Sequence, residues 1–205
     1  MPTRLQSFAV AAALPLVLGA CAFSHAPVVR PEAKAAPVER IGGRMLLLVP
    51  TEVASYYLMK SSGGSTIRYD YGPGTVAALA DLFRGCMDSV EVRMLPVSSS
   101  AMAMLTLPEM DVSGYDFIGL PSIKAQPFQR AFAGRGVDFQ VQVDVMSGAR
   151  KPVASLMGNA AAAAPFEMAS SIRAAGNRAL ENALKVMRDQ LATERPRFLQ
   201  VLSAK

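Results

Sequence analysis

The sequence predicts an α+β domain, a largely antiparallel or mixed sheet with two helices packed on one face. Periodicity carries this reading. Val137, Phe139, Val141, Val143 and Val145 alternate strictly with Asp138, Gln140, Gln142 and Asp144, the pattern of a strand with one buried and one wet side. Val76, Leu79, Phe83 and Cys86 share one face of a predicted helix over 76–87. A longer stretch puts Ile172, Ala179, Leu180, Ala183, Leu184, Met187 and Leu191 on a second helical stripe. Short apolar or β-rich runs precede and separate these helices.

Taken in order, residues 44–49 (RMLLLV) form an apolar run stopped by Pro50, which suits a buried strand. Residues 55–60 and 65–71 are weaker strands around Ser61-Ser62-Gly63-Gly64, a hairpin turn. Tyr71-Gly72-Pro73-Gly74-Thr75 breaks the chain, with Thr75 placed to cap the helix that follows. Residues 90–95 and 115–120 (YDFIGL) return as strands, the latter central. After the strand at 137–145 and a turn at 147–151, residues 152–157 pair back as a hairpin arm, near a sheet edge because of Pro152. The alanine run 160–164 fits helix, loop or hinge. Pro165 suits the start of the long helix, Gly176 weakens its middle, and Pro196 is expected to close it, leaving 196–205 as a short basic tail. The expectation is a single domain over 44–195.

The N-terminus carries an address. Arg4 supplies a positive charge ahead of an apolar run of 11 residues at 8–18, about half the roughly 20 a helix needs to cross a bilayer. Leu18-Gly19-Ala20-Cys21 follows. This resembles the lipobox of bacterial lipoproteins, a branched apolar residue and two small ones before the cysteine. The competing reading is an ordinary secretory signal ending at Ala20 with Cys21 as a free thiol. The resemblance spans about the first tenth of the chain and implies cleavage after residue 20, a thioether-linked diacylglycerol on Cys21 and usually a further acyl chain on its amine. Ala22 stands where aspartate would mark inner-membrane retention, so the resemblance implies an outer-membrane anchor facing the periplasm. Residues 21–43, with Pro27, Pro31 and Pro37, read as a semi-extended tether.

Composition narrows the chemistry. The chain has 205 residues and a net charge of +5, of which Arg4 leaves with the signal, so the mature chain carries +4. Arg68, Arg84, Arg93, Arg130, Arg135, Arg150 and Arg173 are scattered, not gathered beside exposed aromatics, which argues against nucleic acid as a partner. The single histidine, His25, lies in the tether, a poor place for a proton shuttle or an ordered metal ligand. Cys86, in an apolar helix pattern, reads as a buried inert thiol. Gly72-Pro73-Gly74-Thr75 could offer backbone N–H groups to an anion but has no adjacent lysine, so a plain turn and cap is preferred. Asp138 and Asp144 lie roughly 20 Å apart along a strand, too far to act on one bond, which leaves a polar partner-facing strip. Met94, Met102, Met104 and Met110 offer soft thioethers that suit Cu(I), yet core packing is the favoured reading, with an adaptable protein or lipid contact behind it.

No catalytic residue, metal or cofactor is therefore expected. The expected partners are the membrane, through acyl chains on Cys21, and other envelope proteins. The layout resembles that of small envelope lipoproteins, including accessory subunits of envelope machines. It implies a non-catalytic accessory or structural subunit of an outer-membrane or periplasmic transport or assembly machine. The alternative is a binding module for a lipid or small amphiphile, with an apolar cavity lined by Met and Phe. An enzyme would need a cleft in which Asp116, Asp138 or arginines converge.

Overall fold

The computed structural model describes residues 38–62, 65–130, 134–164 and 169–204. Cys21, His25, most of the tether, Gly63-Gly64 and Pro165 lie outside these residues. Along the chain come β1 (Arg44–Pro50), α1 (Thr51–Ala54), β2 (Tyr57–Ser62), β3 (Ser65–Asp70), α2 (Gly72–Arg84) and β4 (Ser89–Leu95). Then follow α3 (Ser100–Thr106) with a 3₁₀ turn at Leu107–Glu109, β5 (Phe117–Arg130), β6 (Gly134–Ser147), β7 (Pro152–Ala164) and α4 (Ala169–Ser203). The main sheet has five strands in the order β4-β1-β5-β6-β7; β2 and β3 form a separate hairpin. β1 runs parallel to β4 and β5, and β5, β6 and β7 are antiparallel neighbours, so the α+β fold rests on a mixed sheet.

Side-chain alternation divides the core. Met45, Leu47 and Val49 join Phe117 and the valines of β6 in the cluster beneath α2 and α4, where Leu79, Phe83, Leu180, Leu184 and Met187 are buried. Leu46 and Leu48 point to the other face and meet Ala103, Leu107, Ile118 and Leu120. A third helix, α3, thus covers the β4-β1-β5 part of the second face, an element the sequence reading did not assign. Burial of β1 on both faces after Arg44 is why MLLLV is continuously apolar rather than alternating.

Four expectations are corrected. Thr75 is not the N-cap: the helix begins at Gly72, preceded by Tyr71, and Thr75 is fully buried inside it. Only glycine allows that start, because a Cβ on Gly72 would lie 2.4 Å from the Val53 carbonyl oxygen. Residues 160–163 are neither helix nor hinge but strand, paired with Phe139 to Gly136 of β6; ladder bonding and packing override alanine's helix propensity. β5 is the central strand of the main sheet, as expected, but runs 14 residues rather than the short stretch 115–120. Pro121 and Pro127 disguise it, and both sit beyond the short stretch, Phe117 to Gly119, where β1 pairs with it. Finally, α4 continues through Pro196 to Ser203, so the basic tail is its last turns. Phe198, fully buried with its ring 5.1 Å from that of Phe117, holds those turns down. Arg195 adds an ion pair to Glu39 and a hydrogen bond to the Arg40 carbonyl. Burying a phenylalanine offsets the roughly 3 kcal/mol an internal proline costs a helix.

The segment before β1 is docked. Ile41 is buried, and the Ile41 and Gly42 amides donate to the Cys86 carbonyl at 2.7 and 3.0 Å. Gly42 and Gly43 take φ of 87° and 83°, the left-handed region that suits glycine. This turn brings the Gly43 amide to Asp88 Oδ2 at 2.8 Å.

Candidate interaction surface

The second face of the sheet is only half covered. Where α3 ends, β5, β6 and β7 run on, and their rows of outward side chains remain open. Lys124, Gln140 and Asn159 form one row across the strands, Ser122, Gln142 and Met157 the next, and Gln126, Asp138 and Ala161 a third. The strip Asp138, Gln140, Gln142 and Asp144 therefore lies on one face, as its alternation requires. Several of its groups are already oriented. Ser155 Oγ donates to Asp144 Oδ1 at 2.6 Å, and Gln142 Nε2 donates to the same oxygen at 2.9 Å. Gln140 Nε2 reaches Met157 Sδ at 3.4 Å. A depression of about 340 Å³ lies over Lys124, Gln126, Asp138, Gln140 and Asn159.

α3 stands beside this floor as an apolar wall. Ser99 caps it by accepting from the Met102 amide, and Ser100 Oγ donates to the Pro121 carbonyl at 2.7 Å, which fixes it against β5. Ala103 and Leu107 face the sheet, which turns Met102, Met104 and Leu105 outward with 46%, 48% and 73% of their surface exposed. The core-packing expectation is thus corrected for Met94, Met102 and Met104, whereas Met110 is partly buried against the second core cluster as expected. Residues 94–108 contain no charged side chain, which is the sequence signal that could have marked the wall. The thioethers do not converge on a Cu(I) site: Met94 shares a face with Val49 under α2, opposite α3, and residues two apart on a helix point away from each other. Among the described residues no group of three His, Cys, Asp or Glu side chains could hold a metal.

The sheet edges are treated unequally. At β7, the Met157 amide donates to Gln190 Oε1 at 2.7 Å and Arg178 Nη2 donates to the Ala163 carbonyl at 3.0 Å, so α4 caps that edge. Along distal β5, the Tyr56 hydroxyl accepts from the Ala125 amide at 2.8 Å and donates to its carbonyl at 3.0 Å. Pro121 and Pro127 flank Ala125 on that strand and have no N–H to offer. β4 has β1 on one side and is the sheet's other terminal strand.

The remaining candidates reduce to structure. Asp116 does line a cleft of about 800 Å³ with Lys151, Arg197 and Gln200. Its carboxylate, however, accepts from the Arg44 amide at 2.6 Å, while its own amide donates to the Arg44 carbonyl, a clamp joining β1 to β5. Asp138 is on the open face and does not meet it. The Tyr71 and Gly72 amides both donate to the Tyr56 carbonyl, which closes the α2 N-terminus to an anion. Burial pushes the Cys86 thiol up to about 12, consistent with an inert side chain. Phe83, Phe117, Phe139, Phe198, Met45 and Met187 fill the core, whereas Met94, Met102 and Met104 are exposed.

Among the described residues no helix is long and apolar enough to cross a membrane. No protein-family model matches the chain, and no curated protein matches it by sequence. Among solved structures, it is similar to a Xanthomonas campestris protein described as belonging to family DUF330, at 11% identity and a TM-score of 0.56, over 86% of this chain and 99% of that one. A Helicobacter pylori protein described as a homologue of neuraminyllactose-binding hemagglutinin aligns at 9% identity and a TM-score of 0.46, over 84% and 95% of the two chains. A Caulobacter crescentus protein described as a candidate lipoprotein aligns at 9% identity and a TM-score of 0.31, over 52% and 83%. The Xanthomonas likeness places the chain in a known α+β architecture.

Proposed function

We propose that the protein is a lipid-anchored accessory subunit of an envelope transport or assembly machine. It performs no catalysis and holds a partner protein on the open sheet face beside α3. Cys21 ties the mature chain to the outer membrane, and the proline-containing tether lets the domain stand off toward its partner. The observation that carries the reading is the pairing of a preorganised polar floor with an uncharged wall exposing Met102, Met104 and Leu105. Interfaces combine apolar anchors with hydrogen-bonding groups already held in place, and methionine supplies an adaptable contact.

Site-specific photocrosslinking in cells tests this. A photoreactive residue at Met104, Leu105 or Gln140 is expected to capture the same envelope protein, while one at exposed Lys185 on α4 captures none. Capture at Lys185 alone, or different products at each of the three positions, would contradict the reading.

A further inference from the structure

We infer that β4 is a self-complementary edge through which a second copy of this chain adds to the sheet in antiparallel register, about a two-fold axis at Val92. Within the main sheet, among the described residues, the other stretches of exposed strand edge carry caps, Gln190 and Arg178 at β7 and Tyr56 with two prolines at β5. β4 runs Ser-Val-Glu-Val-Arg-Met-Leu without proline, and its partner on one side only is β1. A free edge of this kind is a template for another strand unless something blocks it.

Its side chains fit a copy of themselves. With the axis at Val92, Glu91 of each chain faces Arg93 of the other, and Val90 faces Met94. The two charges lie on the α3 side of the sheet, where both are partly exposed, with side chains 48% and 39% accessible. They already meet within the chain at 2.9 Å, and the Tyr115 hydroxyl donates to Glu91 as well, so the carboxylate is preset on the correct face. On the α2 side, Val90 and Val92 are half-buried and Met94 is 58% exposed. A second strand covers all three with their own counterparts. Opposite charges and apolar pairs directly across strands are the favourable cross-strand combinations, and the same patch on both partners is what a two-fold interface requires.

The anchor permits the arrangement. Antiparallel pairing puts the entry points of the two tethers at opposite ends of β4, roughly 20–25 Å apart for a strand of this length. The stretch from Cys21 to Val38 can extend to about 55–60 Å, enough for both copies to remain on one membrane.

The test uses the full acylated chain in mild detergent. Val92→Cys is expected to give a disulfide-linked dimer in the oxidising compartment, because directly opposed Cα atoms in an antiparallel pair lie within about 4.5–5.5 Å, inside disulfide range. Val90→Cys alone is expected to give none, and together with Met94→Cys to give one. Glu91→Arg, placing like charges opposite each other, is expected to weaken self-association by about tenfold, and the exchanged pair Glu91→Arg with Arg93→Glu to restore it. Unchanged thermal unfolding of these variants keeps the reading clean. A monomer at every concentration, a Val92→Cys dimer that fails to form, or crosslinking of that cysteine to a different envelope protein would each overturn the inference.

Discussion

Gly158→Ala tests how closely α4 lies on the sheet. Gly158 sits in β7 opposite Val141, with its face toward α4. A Cβ there would lie 2.1 Å from the Ala183 carbonyl oxygen and 2.9 Å from Met187 Cγ, whereas ordinary contact begins near 3.4 Å. The obstacle is helix backbone, so relief requires moving α4 by more than an ångström across the Leu180, Leu184 and Met187 contacts. Backbone entropy alone favours alanine over glycine within a strand by roughly 0.5–1 kcal/mol. Overpacking costs typically 1–3 kcal/mol, and contact with backbone puts this site near the top of that range. The net expectation is a loss of about 2 kcal/mol, which for a domain of this size lowers the melting temperature by roughly 4–8 °C. Thermal and urea unfolding measure it, with Ala161→Val on the outward side of the same strand as a control expected to stay within about 0.5 kcal/mol. An unchanged or raised melting temperature in Gly158→Ala would refute the close approach.

Phe198→Ala is expected to destabilise the domain by about 3 kcal/mol and to expose the chain beyond Pro196 to trypsin at Arg197; full resistance would show that Phe117 does not hold those turns. Cys86 in the folded protein is expected to react with thiol reagents orders of magnitude more slowly than in denaturant, since a pKa of about 12 leaves only about one thiol in ten thousand ionised at pH 8; equal rates would contradict its burial. The Arg40 guanidinium and the Gly43 amide hold the Asp88 carboxyl below its ordinary 3.8. A depressed pKa means that this clamp is fully formed above the ordinary value and is lost as pH falls through the folded one. Amide exchange at Gly43 should therefore be slow at pH 6 and lose its protection below about pH 3.8, and Asp88→Asn should abolish the difference.

Legibility followed periodicity. β6 was plain because Val137 through Val145 bury one side and leave the other in water. The buried stripe of α4 was equally plain at Leu180, Leu184 and Met187. The misreadings lie where tertiary contacts outweigh local preference. Pro196 breaks helices in isolation, but Phe198 anchors the far side. Residues 160–163 favour helix alone, yet β6 supplies a ladder. Pro121 and Pro127 signal a break until β1 is seen to end, leaving an edge that needs no N–H. Of the candidate surface, the polar strip was readable. The wall was not, because methionines in an apolar run look alike in sequence whether they are core or surface, and only the placement of Ala103 and Leu107 turns Met102, Met104 and Leu105 outward.

The most direct test of the account is mass spectrometry of what copurifies with the protein after mild crosslinking and gentle detergent extraction, comparing the natural chain with Cys21→Ala and with Met104→Asp combined with Leu105→Asp. A reproducible set of envelope proteins, lost both when the anchor is removed and when the α3 wall is charged while the fold is retained, is the predicted result. A solitary protein, or a partner set indifferent to the charged wall, would contradict it.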